Sequence, residues 1–159
     1  MNRALSGEGS TVSHGDGHLR AAAALDGQGG CIAEARHLAA DFLSQARSEH
    51  QIPVSQRALE LTQLVVSELV TNARKYAAGP ILLDLRIAGD LVEVQVWDSN
   101  PGLPMARAAD VSRVGQHGLE IVMAVCQSVE ATREPVGKRI TARLPLTDDA
   151  SGIDCTRRR

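Results

Sequence analysis

Glu68 and Asn72 stand four residues apart in Ser-Glu-Leu-Val-Thr-Asn-Ala-Arg-Lys-Tyr, inside a long apolar segment. Residues i and i+4 of a helix share one face, so this spacing stacks a carboxylate on a carboxamide. Leu61 and Val65 continue the same stripe backwards as an apolar surface, which points both polar groups toward the core. A buried polar group costs free energy unless something satisfies it. A partner side chain or a structural water would do so. So would a hard cation with a phosphate, because a carboxylate and an amide oxygen suit Mg²⁺.

Two further groups of residues follow. Asp98 closes the alternating run Leu91 to Asp98, in which Val92, Val94, Val96 and Asp98 share one face and Glu93, Gln95 and Trp97 the other. That parity puts Asp98 on the core side of a strand end. The residues after it, Ser99-Asn-Pro-Gly102, also have turn character, so a simple turn is the alternative reading. Gly115-Gln-His-Gly118 then precedes an apolar helix carrying Leu119, Ile121, Val122, Val125 and Cys126. Glycines before a helix let backbone N–H groups approach phosphate, and a helix N-terminus favours anions. An ordinary loop-to-helix junction would look the same.

The elements that must position these residues are legible from periodicity. Helical spacing runs from Cys31 to about His50 and ends before Pro53. Ser55 is a candidate N-cap for the helix that carries Glu68 and Asn72 to about Ala78, where Gly79-Pro80 stops it. Ile81 to Ala88 and Leu91 to Asp98 alternate as a hairpin around Gly89-Asp90. Ser128 to Glu134 and Lys138 to Leu146 form a second strand pair, turning at Pro135-Val136-Gly137. Leu19 to Leu25 suits a short edge strand. The run 99–117 is a loop long enough to be functional.

Composition sets the remaining bounds. The chain has 159 residues, 43% hydrophobic and 23% charged, which suits one domain, 19–146, between disordered tails 1–18 and 147–159. Phe42, Tyr76 and Trp97 are the only aromatics, so the core must be aliphatic. A net charge of −2 gives no basic field to recruit nucleic acid directly. No apolar run approaches the ~20 residues needed to span a bilayer, and Met1 to Gly17 lacks a secretory h-region. Cys31, Cys126 and Cys155 show no CxxC spacing and read as reduced thiols of a cytoplasmic protein.

The order Glu-x-x-x-Asn, strand-end Asp with a following Gly, then glycines before a helix resembles the Bergerat ATP-binding fold of the GHKL superfamily. Ser-Glu-Leu-Val-Thr-Asn-Ala, Val-Trp-Asp-Ser-Asn-Pro and Gly-Leu-Glu-Ile-Val are most similar to the stand-alone bacterial anti-sigma-factor serine/threonine kinases of actinobacteria. The resemblance covers roughly residues 19–146. It implies a two-layer α/β (α+β) sandwich, with a mixed, mainly antiparallel sheet and helices on one face. It implies ATP and Mg²⁺ as cofactors, with Asn72 ligating the metal and Glu68 as general base. Asp98 would accept a hydrogen bond from the adenine amino group, Gly102 would admit the base, and Gly115 and Gly118 would hinge a lid over phosphate.

This chain departs from that pattern at several positions. Tyr76 stands where relatives often carry His, Asn100 where the superfamily usually has Gly, and Gln116 in place of a lid glycine. Lys138-Arg139 lacks the Thr that often helps form the adenine site, for which Thr141 is the nearest substitute. Lys75 and Arg113 are candidate charge partners for phosphate, with surface solvation as the alternative. By the same resemblance the partners would be a sigma factor and an anti-sigma antagonist, and the chain could form a homodimer. Two other functions compete: a nucleotide-gated protein-binding module without phosphotransfer, and a sensor histidine kinase. The second lacks room for a sensor domain, and none of the five histidines lies in a convincing acceptor helix. A sandwich that binds no nucleotide requires all three motifs to be coincidence.

Overall fold

The computed structural model describes residues 11–15, 18–26, 29–76, 79–99 and 118–147. In chain order the elements are β1 (Thr11–Gly15), β2 (His18–Leu25), α1 (Cys31–Glu49), α2 (Gln56–Tyr76), β3 (Ile81–Ala88) and β4 (Leu91–Asp98). A helix α3 over 118–125 follows, then β5 (Ser128–Arg133) and β6 (Lys138–Pro145). The strands form one six-stranded sheet in the order β1-β2-β3-β4-β6-β5. Every pairing among them is antiparallel. Helices α1 and α2 pack on each other and on one face of this sheet. The fold is the expected two-layer α+β sandwich.

Alternation in the sequence becomes sidedness in the sheet. Ile81, Leu83, Leu85 and Ile87 of β3 are buried, as are Val92, Val94 and Val96 of β4 and Ile140, Ala142 and Leu144 of β6. They meet Ala35, Ala39, Phe42 and Leu43 of α1 and Val65, Val66, Leu69 and Val70 of α2. At about 1.5–3 kcal/mol for each fully buried Val, Leu, Ile or Phe, this layer needs no further aromatic bulk. The opposite face of the sheet is polar. There Arg20 pairs with Asp84, and Glu93 sits between Arg86 at 2.7 Å and Arg143 at 2.8 Å.

Local chemistry fixes the ends of α2. Ser55 caps it, its Oγ accepting the Ala58 N–H at 2.9 Å, the N-cap arrangement that satisfies one orphan amide of the first turn. Within the helix the buried Thr62 hydroxyl donates to the Ala58 carbonyl at 2.7 Å. Gly89, with φ +63°, makes the β3–β4 turn, a conformation in which glycine has no Cβ penalty.

The N-terminal boundary differs from expectation. Residues 1–18 were expected to form a tail, yet Thr11–Gly15 is a strand, paired with β2 from Thr11↔Ala22 to Gly15↔His18. Strand β2, expected at the edge, is therefore interior, between β1 and β3. Thr-Val-Ser-His-Gly offers a single apolar side chain, so alternation cannot reveal it. Backbone pairing with β2 makes it a strand. Among the described residues, no helix is long and apolar enough to cross a membrane.

Candidate functional site

The site begins on α2. Ala58, Thr62, Val65, Leu69, Asn72 and Ala73 make the buried stripe of this helix, spaced three or four apart as an inward face requires. Asn72 is thus a polar member of an apolar row, only 5% exposed. Its amide nitrogen Nδ2 is buried with no hydrogen-bond partner, alone in this among the described side chains. Glu68, one turn earlier, lies at the margin of the stripe and is half-buried. The expectation that both groups point into the core holds for Asn72; Glu68 faces the start of α3 instead.

Gly118 makes that contact visible. A Cβ on Gly118 would stand 2.7 Å from Glu68 Oε1, so a side chain there would push the carboxylate aside from the first described turn of α3. Helix α3 is otherwise lightly held: Val122 is its one buried residue among those described, and Met123 is 64% exposed.

Asp98 ends β4 on the core side, as its parity requires, and is buried. It lies opposite Ile81 at the start of β3 and opposite Lys138 at the start of β6. Helix α2 leads into β3 through Gly79-Pro80, and a Cβ on Gly79 would lie 3.1 Å from Ser99 Oγ. The end of α2 that carries Asn72 and the end of β4 that carries Asp98 therefore share one end of the sandwich. Gly137 closes it: with φ +88°, it lies where a Cβ would fall 1.9 Å from the Asp98 carbonyl oxygen.

Lys138 is the buried neighbour of Asp98 that the sequence pattern was not used to place. Its Nζ donates to Asp98 Oδ2 at 2.7 Å, and the two side chains are 1% and 3% exposed. Removing one member of a buried pair generally costs about 3–5 kcal/mol, so the two hold each other in place. A signal was present: Lys138, Ile140, Ala142 and Leu144 alternate, and the parity that puts Ile140 inside puts Lys138 there too. The same register corrects Thr141. It pairs with Gln95 and Glu130, on the opposite side of the sheet from Asp98, so it is not the substitute at the Asp98 end.

The other expected residues divide simply. Gly102, Gly115 and Arg113, with the departures Asn100 and Gln116, lie outside the described residues. Lys75 is exposed. A depression lined by Leu82, Asp84, Gln95, Trp97, Glu134 and Arg139 belongs to the polar face of the sheet, away from Asn72. Neither described thiol fits a reactive role: burial raises the Cys31 thiol pKa, and burial pushes Cys126 up to about 12.

The donor set suits a nucleotide with its cation at the α2 end. The orphaned Asn72 amide is a buried polar group awaiting a partner, and a half-turn of the carboxamide would present oxygen in place of nitrogen. At Gly118 the backbone stands directly against the Glu68 carboxylate, whose Oε1 lies 2.7 Å from where a Cβ would be.

The histidine kinase domain from Erythrobacter litoralis EL346 blue-light activated histidine kinase is structurally similar, with a TM-score of 0.47 and 19% identity. The similarity covers 75% of this chain and 64% of that one. No curated protein matches the sequence. The model of the histidine kinase-like ATPase domain matches residues 31–144, a span that holds Glu68, Asn72, Asp98, Gly118 and Lys138. The chain belongs to the histidine kinase-like ATPase domain family, whose members are ATP-binding kinases and ATPases.

Proposed function

We propose that the chain binds Mg-ATP between α2 and the Asp98 end of the sheet. We further propose that it acts as an anti-sigma-factor serine/threonine kinase, holding a sigma factor in one state and phosphorylating an anti-sigma antagonist. The observation that carries the nucleotide reading is the buried, unpartnered Asn72 amide, one helical turn from Glu68. The kinase subtype, its partners and a homodimer rest on the resemblance of the three motifs, and a cytoplasmic location on the cysteine spacing.

In this reading Asn72 would hold Mg²⁺ through its carboxamide oxygen, and the cation would supply charge neutralisation at the phosphates. Asp98 accepts a hydrogen bond from the adenine amino group. The N-terminus of α3 turns its backbone N–H groups toward anionic oxygen. Glu68 takes the proton of the attacking serine or threonine hydroxyl as that oxygen bonds to the γ-phosphorus. The bond from the γ-phosphorus to the bridging oxygen breaks, and its electron pair leaves with ADP.

The test is transfer of label from γ-labelled ATP to serine or threonine in host-cell lysate, run alongside ATP binding. Glu68→Gln should bind ATP within about threefold of wild type and lose transfer, because an amide cannot take the proton. Transfer at the wild-type rate would remove Glu68 as base. A wild type that binds ATP yet labels no protein would replace the kinase by a nucleotide-gated protein-binding module.

A further inference from the structure

We propose that Lys138 reads the nucleotide base together with Asp98, as the donor half of a buried donor–acceptor dyad. This deepens the ATP-binding reading and rests on it. The two residues face each other across hydrogen-bonded strands, on the core side, at the end of the sandwich toward which the Asn72 end of α2 runs. Their Nζ–Oδ2 separation is 2.7 Å, and both side chains are almost wholly buried. Gly137, immediately before Lys138, is packed against the backbone of Asp98 and Ser99, so the dyad is held on both strands at once.

A carboxylate only accepts hydrogen bonds and an ammonium only donates them. Asp98 alone would ask a base for one amino group, which adenine, cytosine and guanine all possess. Adding a fixed donor beside it asks for an acceptor next to that amino group. The adenine edge offers this pair: the 6-amino group donates, and ring nitrogen N1 accepts. In the same orientation guanine turns its O6 acceptor toward Asp98 and its N1–H donor toward Lys138, so both contacts are mismatched. A water molecule in the place of Nζ could rotate to suit either base, whereas a lysine ammonium cannot accept. The dyad also pairs opposite charges, which spares the nucleotide-free fold a lone buried carboxylate.

The experiment is a double-mutant cycle between Lys138 and N1, read by calorimetry. ATP and 1-deaza-ATP, which carries C–H in place of N1, are titrated into wild type, Lys138→Met and Lys138→Gln, with thermal melts to establish folding. Wild type should prefer ATP by about ten- to a hundredfold, the range for one hydrogen bond to a charged group. In Lys138→Met the preference should shrink to within about threefold. Lys138→Gln keeps an N–H donor beside Asp98, so it should fold even if the methionine variant does not, with a preference smaller than that of wild type. Equal binding of the two nucleotides by wild type overturns the proposal. So does an undiminished preference in a folded Lys138 variant, which would make Lys138 only the structural counter-ion of Asp98 while leaving the ATP site intact. A wild type that binds neither nucleotide overturns the ATP-binding reading itself, and this proposal with it.

Discussion

Burial without a partner costs the Asn72 amide about 1–3 kcal/mol, and nothing among the described residues recovers it. A residue kept at such a cost is better explained by a ligand than by the fold. Glu68 presents the complementary case. It is half-buried, and what lies against it is an absence: the missing side chain of Gly118, where a Cβ would reach to 2.7 Å from Oε1. Because the obstructing atom is the tip of a flexible side chain, Gly118→Ala should fold with a stability within about 1 kcal/mol of wild type. The carboxylate would have to swing aside, so transfer should fall at least about tenfold while ATP binding changes less. A variant with wild-type transfer would mean that the Glu68–Gly118 contact is incidental.

Elements were read from the sequence according to how strongly one face is apolar. Helix α2 and strands β3 and β4 repeat their buried positions over whole segments, and the structure reproduces them to within a few residues, Ser55 cap included. Strand β1 has no such face and was invisible. Strand β6 lies where its periodicity predicts, and alternation with the buried Ile140 places Lys138, not Thr141, on the core side. Gly137 was read as a turn residue; that it also carries the close approach to Asp98 depends on strand pairing across 39 residues, which no local pattern records. Its substitution is a test at this scale. Gly137→Ala combines φ +88° with a Cβ at 1.9 Å from backbone and should cost about 3 kcal/mol or more. Gly29→Ala, with nothing within 4 Å, should cost close to nothing. Equal denaturation midpoints for the two variants would contradict the close packing of the β5–β6 turn on β4.

The whole molecule separates two kinds of polar chemistry by the faces of one sheet. On the outer face, burial pushes the Glu93 carboxyl upward, but Arg86 and Arg143 outweigh it and hold the pKa below the usual glutamate value. A carboxylate lowered on folding contributes stability above its unfolded pKa and loses it as pH falls through the folded one. The stability gap between wild type and Glu93→Gln should therefore be present at neutral pH and close in acid, as pH drops below the ordinary glutamate value. A gap that stays constant in denaturation curves across that range would contradict the role of the arginine pair. On the inner face, Asn72, Glu68, Asp98 and Lys138 gather at one end of the sandwich, where α2, β4, α3 and β6 start or finish.

The most direct test of that assembly as a nucleotide site is a calorimetric titration of wild type and Asn72→Ala with ATP, with and without Mg²⁺, beside their thermal melts. The wild type should bind ATP more tightly with Mg²⁺. Asn72→Ala should lose at least about tenfold of the Mg²⁺-dependent affinity while its melting temperature holds or rises, because the buried, unpartnered Nδ2 costs the nucleotide-free fold stability. An Asn72→Ala protein with unchanged Mg²⁺-dependent affinity, or a wild type that does not bind millimolar ATP, would contradict the account.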